Sequence, residues 1–190
     1  MAVTPAGQRT REALLDAGAV VAERNGLAGL SVSAVADAAG VAKGTFYVHF
    51  VDRDTFVDAL HERFYDRVGA AVRRAVDGLP LGAERLATGA NAYLDSCLDQ
   101  RAVKPLLRDL QSGGCGAAAS TSMVERETAF TALTIANLRA MGCRDLVVVA
   151  RLITAMISET ALLEHETGKR SAPARRTVER LISAAAPALQ

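Results

Sequence analysis

The chain contains no tryptophan and, in 190 residues, only 5 Phe and 3 Tyr. Six of those eight aromatics fall between Phe46 and Tyr65, so whatever they do is done locally. Cysteine is almost as scarce. Cys97, Cys115 and Cys143 are odd in number, widely spaced and outside any CxxC pattern, which excludes a disulfide framework or a zinc cage and fits reduced thiols in a cytoplasm.

Excess charge is lacking too. The formal net charge is +1, and the first 54 residues carry Arg9, Arg11, Arg24, Lys43 and Arg53 against Glu12, Asp16, Glu23, Asp37, Asp52 and Asp54. Bulk charge therefore gives no support for binding nucleic acid, and any such reading must rest on where particular residues stand. The most apolar segment, Leu146 to Ile157, is interrupted by Arg151 and is shorter than the roughly 20 residues of a spanning helix. No apolar leader followed by a small-residue cleavage site opens the chain, so the expectation is a soluble, cytoplasmic protein without membrane contact.

Catalytic signatures are missing as well. His49, His61 and His165 are not spaced as metal ligands, and the His61-Glu62 pair lacks the second histidine of HExxH. The chain holds no GxGxxG, phosphate-binding loop or GxSxG elbow. Cys115, in GGCG, has nothing basic beside it to activate the thiol and is expected to be an ordinary loop cysteine. No catalytic residue, metal site or cofactor is expected.

What is present is helix. Alanine, leucine, arginine and glutamate abound, and apolar residues recur at spacings of three and four with no sustained alternation. Leu14, Ala17, Gly18 and Val21 form one stripe of a first helix, expected over about 8–24 and stopped by Asn25-Gly26. Ser31 can cap a second helix that Gly40 ends; a third is expected over about 42–48, and Asp52 can cap a long fourth with Phe56, Leu60, Phe64 and Val68 on one side. Breaker clusters at 78–82 and 112–122 separate five further helices, expected over about 83–98, 104–111, 123–141, 145–167 and 173–188. The fold class is thus all-α, with about nine helices.

The short second and third helices, joined by Ala39-Gly40-Val41, make a helix-turn-helix, in which the second member is offered to the DNA major groove. The stretch VAKGTFYVHF, residues 41–50, divides accordingly. Phe46 and Phe50 lie one helical step apart and face inward; Lys43, Gly44, Thr45 and Tyr47 occupy the remaining surface. Gly44 costs roughly 1 kcal/mol against alanine in a helix, so its return is expected to be close approach of backbone to another surface. Thr45 can meet a phosphate or a thymine methyl, Tyr47 and His49 can donate to phosphates, and Lys43 can reach a phosphate or a guanine. Arg53, in the first turn of the fourth helix, is placed for a phosphate.

Residues 30–60, LSVSAVADAAGVAKGTFYVHFVDRDTFVDAL, resemble the N-terminal signature of the tetracycline-repressor (TetR) family of bacterial transcriptional regulators. The likeness joins the Gly26 stop, the AxxAGV turn, the Lys-Gly-Thr-aromatic-Tyr run, the aromatic at 50 and the basic residue three positions later. It covers roughly a third of the chain; the remainder agrees only in length and helix rhythm. The resemblance implies that Lys43 and Thr45 approach bases or phosphates, that Tyr47, His49 and Arg53 clamp the backbone, and that Ser31 and Ser33 touch phosphate. The chain departs from the pattern at Ala42, where serine is frequent, and at Val48 and Val51, where polar residues are frequent.

The resemblance further implies a DNA-binding domain over 1–51 and an effector-binding and dimerisation domain over 52–190, whose last two helices pair with their copies in a homodimer on a palindromic operator. The helix at 145–167 is apolar nearly all round, as one buried against several neighbours would be, and Leu181, Ile182 and Ala185 supply a companion stripe. A small, apolar or amphipathic effector is expected to release the repressor from DNA. Its candidate contacts are His61, Phe64, Tyr65, Asn91, Tyr93, Cys97, Leu107, Phe130, Thr134, Met156 and Glu159, with Tyr93 and Asn91 foremost because neither belongs on an apolar wall. The rival expectation is a helical small-molecule-binding or scaffold protein whose DNA head is vestigial, which the near-neutral first 54 residues favour.

Overall fold

A computed structural model of the chain describes residues 4–100 and 121–185. The described residues form eight α-helices and no strand: α1 (Pro5–Asn25), α2 (Val32–Ala39), α3 (Lys43–His49), α4 (Arg53–Ala75), α5 (Ala83–Leu98), α6 (Thr121–Ala140), α7 (Leu146–Thr167) and α8 (Ala172–Ala184). The helix expected at 104–111 lies outside the described residues.

Short polar side chains start the helices and glycines stop them. Thr4 accepts a hydrogen bond from the Gly7 N–H at 3.2 Å and Pro5 occupies the first turn, which carries α1 back beyond the start expected at 8. Ser31 accepts from the Ala34 N–H at 3.2 Å to open α2, and Gly40, in the left-handed conformation with φ of 68°, closes it. Asp52 accepts from the Thr55 N–H at 2.8 Å to open α4; that bond above all holds the exposed Asp52 carboxyl below its ordinary pKa. Ala42 precedes α3 with no side-chain cap, as its methyl dictates.

The described residues divide into two compact units, 4–64 and 65–100 with 121–185. The first reaches past residue 51 because Phe56, Val57 and Leu60, from the opening turns of α4, are buried in its core with Leu14, Leu15, Ala22, Leu30, Val35, Phe46 and Phe50. Three rings knit this core: Phe46, Phe50 and Phe56 stand with centroids 4.8–5.4 Å apart, in the tilted and edge-on arrangements that aromatic quadrupoles favour. Gly18 of α1 admits them. A Cβ there would come within 2.3 Å of Phe56 Cζ, so only glycine lets α1 lie this close.

The second unit is aliphatic at its centre, where Leu86 and Ala90 of α5, Leu138 of α6, Ala150 and Ile153 of α7, and Val178 and Ile182 of α8 are buried together. Beside them runs a polar network. Arg175 of α8 grips Glu164 of α7 through two parallel hydrogen bonds of 2.7 and 2.6 Å and reaches Asp95 of α5 at 2.6 Å. Glu164 is 1% exposed and also accepts from the Ser171 N–H at 2.7 Å, which fixes the α7–α8 turn. Burial alone would raise the Glu164 pKa, but the bonds from Arg175 and the Ser171 N–H outweigh it and hold the carboxyl below its ordinary value.

The helix expected over about 145–167 forms as α7, of which Leu146 to Ile157 is the most apolar part, and by length and composition alone the whole helix is long and apolar enough to cross a membrane. Within this unit one side of it is a core wall, and its Glu164 is bound to Arg175.

Candidate nucleic-acid interface

The third helix is anchored on one side only. Phe46 is fully buried and Phe50, which follows the helix, is 2% exposed, and a turn of about 100° per residue then fixes what the opposite side presents. Gly44, Tyr47 and Val48 are exposed there and Lys43 is exposed at the start of the helix, while Thr45 and His49 flank the anchored edge and are half-buried. Tyr47 rests edge-on against Phe46, centroids 5.6 Å apart, which steadies its ring while leaving it 52% exposed. Ser31 and Ser33, at the start of α2, are exposed as well.

Gly44 is the informative residue. A Cβ built on it would meet nothing within 4 Å, and its φ is not positive. Neither internal packing nor backbone geometry therefore requires glycine, unlike Gly18 or Gly40. Glycine at this place costs up to about 1 kcal/mol in helix propensity and leaves the backbone of α3 open to the outside.

Arg53 has an occupation the sequence did not reveal. Its Nε donates to the Leu30 carbonyl at 2.8 Å, its Nη2 donates to the Leu27 carbonyl, and its Nη1 pairs with Asp54 at 3.1 Å. The side chain latches the start of α4 to the α1–α2 connection, so its guanidinium helps to hold the shape of the head. Arg63 makes a similar latch, donating to the Leu15 carbonyl at 2.7 Å and to Asp16 at 2.8 Å. Arg11 stacks over the Phe50 ring at 5.1 Å. Several of the head's arginines are thus engaged internally, and the exposed cation on α3 is Lys43.

The residues expected to touch an effector fall into several places. His61 and Phe64 are buried in the first unit; Leu107 lies outside the described residues. In the second unit, Tyr65 and Tyr93 stand 5.8 and 6.3 Å from Phe130, centroid to centroid. The Tyr93 hydroxyl has Cys97, one turn along α5, and Ser158 of α7 as its polar neighbours. Burial first, then the neighbouring Cys97 and Tyr65, push the Tyr93 phenol well above its usual pKa, and burial pushes the Cys97 thiol up to about 12, so both are neutral. Asn91 is committed elsewhere: its amide donates to Glu179 at 2.7 Å and its oxygen lies 3.5 Å from Arg175 Nη1. The Thr134 hydroxyl returns to the Phe130 carbonyl at 3.2 Å, Met156 packs on the aliphatic core, and Glu159 is exposed. Ser158 and the network of Asp95, Glu164, Arg175 and Glu179 escaped sequence reasoning, because charged residues at helical spacing look like a solvated face. Among the described residues no group of acidic, histidine and cysteine side chains could hold a metal ion.

Residues 14–60 match the family model described as bacterial regulatory proteins, tetR family. The transcriptional repressor KstR2 of Mycobacterium tuberculosis is 40% identical over 78 residues, which is 41% of this chain and 38% of that protein; the chain is thus matched over well under half of its curated relative. In solved structures the fold recurs along nearly the full length. A TetR-like transcriptional regulator from Rhodococcus sp. RHA1 superimposes with a TM-score of 0.77 at 19% identity, covering 92% of this chain and 93% of that one. The ketosteroid transcriptional regulator KstR2 of M. tuberculosis does so with a TM-score of 0.69 at 21% identity, covering 92% of each chain. The Ser31-capped α2, the Gly40 turn, the one-sided α3 and the latched start of α4 all lie within residues 14–60, the segment of the chain that is similar to the tetR family of bacterial regulatory proteins.

Proposed function

We propose that the protein is a DNA-binding transcriptional regulator, a homodimeric repressor that sets α3 into the major groove of a palindromic operator and is released by a small apolar or amphipathic effector. The observation that carries the DNA reading is the open Cβ position of Gly44 on the exposed side of α3. A groove wall can approach the helix backbone there more closely than any side chain would allow, with Lys43, Thr45, Tyr47 and His49 around it to meet phosphates and base edges. Ser31 and Ser33 add hydroxyl donors to the flanking phosphates.

Dimerisation is supported by apolar surface that the second unit leaves uncovered. Val148, Leu152 and Leu163 of α7 and Leu181 of α8 are 61%, 60%, 43% and 45% exposed. A second copy related by a twofold axis would cover them and would match the symmetry of a palindrome. The effector reading rests on Tyr65, Tyr93 and Phe130, whose rings offer apolar walls, with the neutral Tyr93 hydroxyl as a polar handle. Since α4 contributes residues to both units, an effector that favours one placement of this helix would shift the population of DNA-competent dimers.

Selection of genomic fragments at two salt concentrations tests the proposal. A repressor enriches a palindrome whose affinity falls as salt rises, Thr45→Ala changes the base preference, and sedimentation gives a dimer at micromolar concentration. The rival scaffold, favoured by the internal engagement of Arg53 and Arg63, enriches no palindrome at either salt. A monomer in sedimentation contradicts the dimer.

A further inference from the structure

We propose that Val48 is a specificity-determining residue of the DNA interface and that it reads thymine, its isopropyl group set against the thymine 5-methyl in the major groove. This rests on the DNA reading above and adds the base that α3 selects.

Val48 is 79% exposed, more than any other large apolar side chain described except Val51. It stands two residues from Phe46 and two from Phe50, so at about 100° per residue it lies opposite the anchored pair, at the centre of the outward side. Gly44 is one turn earlier in the same row. Because helical side chains lean toward the N-terminus, Val48 hangs over the position where Gly44 has no side chain and where nothing else lies within 4 Å. The row therefore offers a notch with an isopropyl group at its edge. Valine gains nothing for the chain at this place, being β-branched in a short helix and excluded from the core.

Its chemistry narrows what it can meet. Valine has neither donor nor acceptor, so it cannot discriminate guanine, cytosine or adenine by hydrogen bonding, and a phosphate beside it would be left without a partner. The major-groove edges of the bases carry one apolar group, the thymine methyl. The half-buried Thr45, on the next row of α3, can turn its own methyl to the same group or its hydroxyl to a neighbour. Continuity of Val48 with Gly44 and Tyr47 on one side of α3, with Lys43 exposed at the start of the same helix, assigns the patch to DNA rather than to a protein partner.

Deletion of single methyl groups from DNA supplies the test. A duplex recovered by selection from a randomised pool is resynthesised with deoxyuridine in place of each thymine in turn, and its affinity is measured by fluorescence anisotropy. At one thymine per half-site, loss of the methyl should weaken binding about four-fold, and at both half-sites together about fifteen-fold. Val48→Ala should bind more weakly and lose that sensitivity, with deoxyuridine and thymine at the position agreeing within about two-fold. Val48→Thr, which keeps the shape but adds a hydroxyl, should also blunt the preference; because the side chain is exposed, both variants should melt with the parent protein. Binding that is indifferent to every thymine methyl overturns the proposal while leaving DNA recognition standing, as does full methyl sensitivity in Val48→Ala. Failure to recover any duplex overturns the DNA reading and this inference together.

Discussion

The two units bury their interiors with different materials. The first gathers Phe46, Phe50 and Phe56 around the notch at Gly18 and uses Arg53 and Arg63 to tie its turns to backbone carbonyls. The second packs Leu, Ile, Val and Ala, and runs a paired Glu164 and Arg175 between its helices. Rings and glycine notches admit few substitutions, so the head is held to one shape by residues of unusual type. An aliphatic core tolerates many, and there uniqueness falls to the polar bonds that set one helix against the next.

The largest expected effect attacks the ring cluster. Phe56→Ala removes a fully buried side chain and should destabilise the protein by about 3–5 kcal/mol. Denaturant unfolding followed by helical circular dichroism measures it, and a loss below about 1 kcal/mol would show that the head does not depend on these rings.

The counterpart in the second unit is Glu164→Leu, which leaves Arg175 buried with Asp95 as its remaining carboxylate partner and should cost about 3 kcal/mol. Adding Arg175→Met should restore much of that loss, because two apolar residues of similar volume need no partner. If the double variant is less stable than the single one, the ion pair contributes more than the geometry suggests. Acid gives a gentler probe. The Glu164 pKa is lowered in the folded protein, so its contribution is complete above the ordinary carboxylate value of 4.5 and drains away as pH falls below it. Stability measured across that range should decline in the parent and decline less steeply in the double variant.

The same contrast explains what the sequence disclosed. Ser31, Asp52 and Gly40 could be read in advance because caps and left-handed stops require particular residue types, and VAKGTFYVHF could be divided into two sides because phenylalanine, glycine and threonine have few reasons to alternate so closely. The latch at Arg53 was not legible: the same arginine at the same spacing serves a phosphate or a carbonyl, and only the position of Leu27 and Leu30 decides. Asn91 misled in the opposite direction, for an amide on an apolar helix suggests a ligand, whereas Glu179 and Arg175 use it. In the second unit the residue types that build a core, a partner surface and an effector wall are the same, so Leu152 exposed and Ile153 buried stand side by side with nothing in their chemistry to tell them apart.

The smallest change in stability offers the most direct trial of the account, because Gly44→Ala should move stability and function in opposite directions. A methyl at residue 44 meets nothing in the protein and improves helix propensity, so the melting temperature should hold or rise, by no more than about 1 kcal/mol of added stability. Operator affinity, measured on the same preparation, should fall by at least about ten-fold as the methyl holds the groove away from the backbone. A variant that melts no lower than the parent and binds its operator equally well would contradict the claim that this open glycine exists for DNA.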